Sequence, residues 1–164
     1  VSGEYRRKDL DRAALAFLLH DVGMSKVPAF LLSKPGPLKA EEREKLLPHP
    51  LVGVKLMHKM EMSFEELVRA CYEHHERMDG SGYPQRLKGN QISRVGRITA
   101  IADSFSAMIC DRPYSERKDP LEAAKELAGD PRYDSELSNM LLTGFASGNI
   151  GAMTDMDRIV DEPL

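Results

Sequence analysis

The chain is poor in the features that mark secreted, membrane-spanning or nucleic-acid-coating proteins. It has two cysteines, Cys71 and Cys110, and they do not form a CxxC pair. They read as reduced, buried thiols of a cytosolic protein, with a lone disulfide as the less common alternative. No run of about 18 apolar residues occurs, so no spanning helix and no membrane insertion are expected. The opening residues, Val1-Ser2-Gly3-Glu4-Tyr5-Arg6-Arg7-Lys8, are polar and lack a signal-peptide core. Lys plus Arg number 23 against 26 Asp plus Glu, a net charge of −3. This balance argues against long nucleic acid as a partner. Internal repeats, low-complexity tracts and period-2 alternation are absent or nearly so. There is no initiator methionine, from which a longer parent protein is expected.

What remains is an ordinary globular composition, 41% hydrophobic and 30% charged over 164 residues, enough to bury a core without disulfide or zinc staples. The prolines and glycines gather as punctuation at Lys34-Pro35-Gly36-Pro37, Asp79-Gly80-Ser81-Gly82-Tyr83-Pro84, Asp111-Arg112-Pro113 and Gly129-Asp130-Pro131. Between them the apolar spacing predicts helices over 9–22, 39–47, 50–59, 63–77, 93–110, 119–128 and 134–146. An all-α domain over 1–147 follows, with an acidic tail over 148–164 carrying Asp155, Asp157, Asp161 and Glu162. Ser63 and Glu66 are spaced as a capping box, Gly23 sits where a left-handed helix stop is wanted, and His49 stands at a joint between Pro48 and Pro50.

Acids and histidines fall where a core should be. Residues 13–19 are apolar on every side, which predicts a buried helix, yet it runs into His20-Asp21. Residues 98–102 repeat the conflict and end in Asp103. A buried carboxylate needs a partner or a metal. With His74-His75 closing another amphipathic helix, a shared centre of oxygen and imidazole ligands suits Fe, Mn, Zn, Ni or Co rather than Ca. Each piece has a plainer reading. His-Asp pairs are often surface or capping pairs, and Asp103 can pair with Arg97 or Arg112 as a structural salt bridge. His49 can be a kink residue, and His74-His75-Glu76 a solvated helix end. It is their conjunction that favours a metal.

In order, His20-Asp21-Val22-Gly23, Lys34-Pro35-Gly36, His49-Pro50, His74-His75-Glu76, Asp79-Gly80-Ser81-Gly82-Tyr83-Pro84, Arg97-Ile98, Ile101-Ala102-Asp103 and Asp111-Arg112-Pro113-Tyr114 resemble the HD-GYP subgroup of HD-domain metal phosphohydrolases, over roughly residues 12–146. The resemblance implies an all-helical bundle of about six to seven helices, here lacking the family's first, in a cytoplasmic bacterial signalling protein. It implies His20, Asp21, His49, His74, His75 and Asp103 as metal ligands, with His20 and Asp21 at the catalytic centre and Asp21 as the bridging carboxylate. It also implies Gly82, Tyr83 and Arg112 as contacts to the substrate, cyclic di-GMP. Two divalent ions are expected, iron or manganese; a third is not, because its ligands belong to the helix expected before Val1. Two ions about 3.5–4 Å apart can hold a hydroxide that attacks phosphorus in line with the departing 3′-oxygen, giving pGpG and then GMP. A sensor or receiver domain on the N-terminal side, and a homodimer, belong to the same expectation.

The sequence departs from the family pattern at Met24, where a phosphate-contacting lysine is usual; a thioether cannot donate to phosphate. Lys26 is the replacement candidate, against a plain exposed loop lysine. Ser115 stands for a basic residue and Ser106 for an acid. These departures support an alternative, a domain that binds cyclic di-GMP or a partner protein without turnover; phosphohydrolysis of another nucleotide and a pure interaction module rank below it. His58 fits no ligand position and reads as a surface residue. Cys71 reads as a core thiol before it reads as a ligand. Met57, Met60 and Met62 read as core filler, with an interface as the alternative.

Overall fold

The computed structural model describes residues 7–110, 117–148 and 150, and among these residues every regular element is helical. In order they are α1 (Arg7–Leu19), a 3-10 turn (Val22–Lys26), α2 (Ala29–Leu32), α3 (Ala40–Glu44), α4 (His49–Lys59), α5 (Glu65–Glu73), a second 3-10 turn (Gly89–Gln91), α6 (Arg94–Ile109), α7 (Pro120–Gly129) and α8 (Ser135–Ala146). The seven predicted helices are all present. The four-residue α2 was not expected; it is pinned by Leu31, which is 2% exposed. None of the helices is long and apolar enough to cross a membrane.

Sequence chemistry sets most of the ends. The Ser93 hydroxyl accepts the Gly96 N–H and opens α6. Asp119 accepts the Leu121 and Glu122 N–H groups ahead of Pro120, and Asp134 accepts the Leu137 N–H, opening α7 and α8. Each such cap contributes about 1 kcal/mol. Ser63 does not cap α5: Phe64 takes that position with no side-chain bond, so the predicted capping box is corrected. Here Phe64 packs against the core and Arg12 lies over its ring, so burial rather than capping places the helix start.

The middle of the bundle is α5, packed between α1, α4 and α6; α7 and α8 pair with each other and with α6. Leu67, Ala70 and Cys71 form the buried stripe of α5 at helical spacing, and His74 continues it one turn on. One core cluster holds Ala16, Met57, Leu67 and Ala70; the other holds Ile101, Leu127 and Tyr133. Two expectations are corrected at the edges. Helix α1 is not buried all round: Ala16 is fully buried but Leu18 is 78% exposed, because only one face meets α5. Met57 fills the core and Met62 packs against it, whereas Met60 is 60% exposed at the end of α4. His58 is exposed. Of the expected acidic tail, only Gly148 and Ile150 fall within the described residues.

Candidate metal centre

Three elements bring five of the six predicted ligands together. His20 and Asp21 follow α1, His49 opens α4, and His74 caps α5. The short 3-10 turn packs on α4 through glycine. A Cβ on Gly23 would lie 2.0 Å from the His49 carbonyl oxygen and 2.7 Å from the Gly53 nitrogen. The predicted role of Gly23 as a left-handed stop is therefore corrected: its φ is not positive, and it is glycine because two backbones touch there.

The same device orients three imidazoles. His20 Nδ1 lies 2.6 Å from the Phe17 carbonyl, His49 Nδ1 2.7 Å from the Leu46 carbonyl, and His74 Nδ1 2.9 Å and 3.1 Å from the carbonyls of Cys71 and Ala70. A carbonyl only accepts, so each Nδ1 carries a proton, and each Nε2 faces inward as the atom that can offer a lone pair to a cation. His49 Nε2 and His74 Nε2 then meet at 3.1 Å, with Asp21 Oδ1 at 3.1 Å and 3.7 Å from them. His20 Nε2 and Asp21 Oδ1 are buried without a hydrogen-bond partner. Lone pairs turned on one another beside an orphaned carboxylate oxygen form the donor set of a cation site, and these residues fit a divalent metal. Two overlapping triads, His20–Asp21–His74 and His49–His74–His75, share His74. Asp103 stands at the edge, its Oδ1 3.8 Å from His20 Nε2. The plainer pairing of Asp103 with Arg97 is absent, since Arg97 bonds Asp134 at 2.6 Å. Arg112 and Ser115 lie outside the described residues.

The electrostatics suit the role. Burial alone would raise the Asp21 carboxyl, but the His49 and His74 imidazoles hold it well below the usual carboxylate range. Burial, then the neighbouring His74 and His49, pulls His75 down to about 3, so it is neutral at pH 7, the form in which an imidazole can bind a metal. Burial acts against Asp103 too, yet the neighbouring His20 and His75 imidazoles keep it lowered. His20 is the exception: burial lowers it, but Asp103 and the Phe17 carbonyl outweigh burial and raise it. In metal-free protein His75 contributes stability above its ordinary 6.5, lost as the pH falls toward 3. Asp21 and Asp103 contribute above 3.8 and lose it on further acidification. His20 runs the other way, contributing below 6.5 and losing it as the pH rises. Thermal melts of metal-free protein should therefore show Tm falling on acidification from 6.5 toward 3, and His75→Gln should flatten the upper part of that fall.

Around the centre, Tyr83 stacks on His75, with ring centroids 4.7 Å apart at 25°, and lies 6.5 Å from His49. Gly82 is buried, and a Cβ there would lie 2.4 Å from the His75 carbonyl oxygen. A cleft of ≈ 200 Å³ lined by Phe17, His20, Thr99, Ala102, Asp103 and Ser106 opens beside His20. Met24 is half-buried and Lys26 exposed, both on the 3-10 turn. Cys71 is a core thiol: it is buried, its Sγ donates to the Pro50 carbonyl, and burial pushes it up to about 12. Sequence reasoning missed Glu73, and saw in Glu76 only a solvated helix end. Both are 2% exposed. Glu73 accepts from Arg69 and from the Ser93 N–H, and Glu76 accepts from the Gln85 and Leu87 N–H groups. Acids spaced i, i+3 around paired histidines on a buried stripe were the available signal.

Comparison with known proteins places this geometry. An HD domain family profile matches residues 4–137. The cyclic di-GMP phosphodiesterase PA4108 of Pseudomonas aeruginosa is 33% identical over 146 residues, 88% of this chain and 35% of that protein. The cyclic di-GMP phosphodiesterase of Thermotoga maritima is 41% identical over 110 residues, 66% of this chain and 30% of its own length. The 3'3'-cGAMP-specific phosphodiesterase 2 of Vibrio cholerae is 43% identical over 127 residues, 76% of this chain and 24% of its own. The chain thus spans about a third or less of the length of these relatives. Among solved structures, the HDG"Y"P protein Bd1817 from Bdellovibrio bacteriovorus shares the fold, with a TM-score of 0.69 at 19% identity, covering 88% of this chain and 46% of that one.

Proposed function

Because the chain belongs to the HD-domain family, in its HD-GYP branch, we propose that it is a metal-dependent phosphodiesterase domain hydrolysing a cyclic dinucleotide, cyclic di-GMP, to pGpG, GMP or both. The observation that carries this reading is the convergence of three Nδ1-anchored imidazoles on the ionised Asp21 carboxylate. In this reading His20, Asp21, His49, His74, His75 and Asp103 hold two divalent ions, iron or manganese. Such ions supply Lewis acidity to the phosphoryl oxygens and acidify the attacking water. The protein's own part is geometric. Backbone carbonyls fix the ring faces, and Asp21 offers a carboxylate whose Oδ1 is buried among the imidazoles without a hydrogen-bond partner. Tyr83 and the Gly82 backbone border the substrate. The cleft beside His20 is smaller than the ~300–1,000 Å³ of a pocket that encloses a drug-sized ligand, so it takes only part of a dinucleotide. Arg112 and Lys26 supply positive charge to the phosphates, and a sensor or receiver domain on the N-terminal side controls the centre.

Met24 favours a second reading, in which the domain binds the dinucleotide or a partner protein without turnover. Restoring the donor separates the two. A charge-assisted hydrogen bond contributes roughly 1.5–3 kcal/mol, so Met24→Lys should tighten cyclic di-GMP binding about tenfold or more in calorimetry. Unchanged affinity would remove position 24 from the site. Product appearing only in the lysine variant would favour the second reading for the natural chain.

A further inference from the structure

We propose that Glu76 is a positioning residue that fastens the loop over residues 79–88 to the metal centre and so holds Tyr83 in place; this rests on the phosphodiesterase reading above. A carboxylate that is 2% exposed is costly unless its oxygens are bonded. Glu76 has no ion pair among the described residues. Its partners are two backbone amides of the loop, one per oxygen: the Gln85 N–H at 2.6 Å on Oε1 and the Leu87 N–H at 3.0 Å on Oε2. Other backbone ties hold the loop at its ends and at Tyr83 itself. The Gly80 N–H donates to the Arg77 carbonyl, the Tyr83 N–H to the His75 carbonyl at 3.2 Å, and the Gly89 N–H to the Met78 carbonyl. Between Tyr83 and Leu87 the residues Pro84, Gln85 and Arg86 are exposed, and Arg86 is left-handed at φ 57°. Those three side chains are not buried, and among the described residues it is Glu76 that bonds the backbone of this stretch.

Glu76 is in turn rigidly tied to the ligands. It follows His74 and His75 directly, and its own N–H donates to the Glu73 carbonyl at 2.8 Å. Arg77 donates to the carbonyls of His74 and Glu76 at 3.0 and 2.8 Å, and its guanidinium lies over the Tyr133 ring. One turn of chain therefore holds two imidazoles toward the centre and one carboxylate toward the loop. The Tyr83 ring closes the circuit by stacking on His75.

The test compares wild-type protein with Glu76→Gln, and with Glu76→Asp in case the amide variant fails to fold. The glutamine turns an NH2 group on one of the two amides, and the aspartate falls one methylene short of them. Amide exchange at Gln85 and Leu87 should quicken about tenfold or more in either variant, while metal content stays unchanged. KM for cyclic di-GMP should rise about tenfold with kcat little altered, and this rise should vanish in a Tyr83→Ala background. Unchanged exchange at both amides, or a KM rise that persists in full without Tyr83, would overturn the proposal. If metal-loaded wild-type protein turns over no cyclic di-GMP, the phosphodiesterase reading fails and the exchange comparison alone decides the positioning role.

Discussion

Asp21→Ala empties the metal centre. The carboxylate stands 3.1 Å and 3.7 Å from His49 Nε2 and His74 Nε2, and it supplies the negative charge of the His20–Asp21–His74 triad, which meets the second triad at His74. Partners that only support a ligand are worth about 10–100-fold in metal affinity, so losing an anionic ligand itself should cost at least the upper end of that range. Elemental analysis of protein purified without chelators should find metal in the wild-type chain and almost none in the variant, with turnover lost alongside it. The isosteric Asp21→Asn separates chemistry from folding. Its amide can donate to His49 Nε2, so the melting curve should stay close to wild type while the metal is lost. Full metal occupancy in Asp21→Ala would mean that Asp21 is no ligand.

The second large effect is expected at a residue with no ligand atom of its own. Gly23→Ala places a methyl 2.0 Å from the His49 carbonyl oxygen and 2.7 Å from the Gly53 nitrogen. Both are backbone atoms, so relief requires moving the 3-10 turn off α4. That turn carries the chain on from His20-Asp21, and α4 begins at His49. Overpacking of this severity costs about 3 kcal/mol, at the upper end of what such insertions usually cost. For a chain of this size that is a Tm drop of roughly 6–12 °C. Metal content should fall in the same variant, because the first and second ligand-bearing segments are pushed apart. Gly53→Ala tests the same contact from α4, where its Cβ would meet the Cys71 Sγ at 2.4 Å. A melting curve within about a degree of wild type would show that the two backbones can separate without loss.

Those two glycines show how much of the centre was legible beforehand. The ligand-type residues stood out because each broke a rule of burial: His20-Asp21 after an apolar run, Asp103 at the end of another, His74 on the stripe that runs Leu67, Ala70, Cys71. Burial of polar groups is visible in a sequence as a conflict. Close approach of two backbones is not, because it depends on which segments meet, and so Gly23 was taken for a local turn residue. The same limit hid Glu73 and Glu76, whose partners lie 20 residues away at Ser93 and 9 and 11 residues away at Gln85 and Leu87. The Ser63 capping box failed because Phe64 had a better use for its side chain in the core. The pattern of the seven other helices was readable, since proline and glycine clusters separate runs of clear helical period, whereas the four-residue α2 is too short to show one. The exposed flank of α1 was not, because an apolar run says that a helix can be buried on all sides and not that it is.

The most direct test of the account is turnover of cyclic di-GMP by metal-loaded protein, followed by chromatography of the nucleotides with and without chelator. pGpG, GMP or both should form, and only while metal is bound. Intact cyclic di-GMP after hours with protein whose metal content has been verified would contradict it.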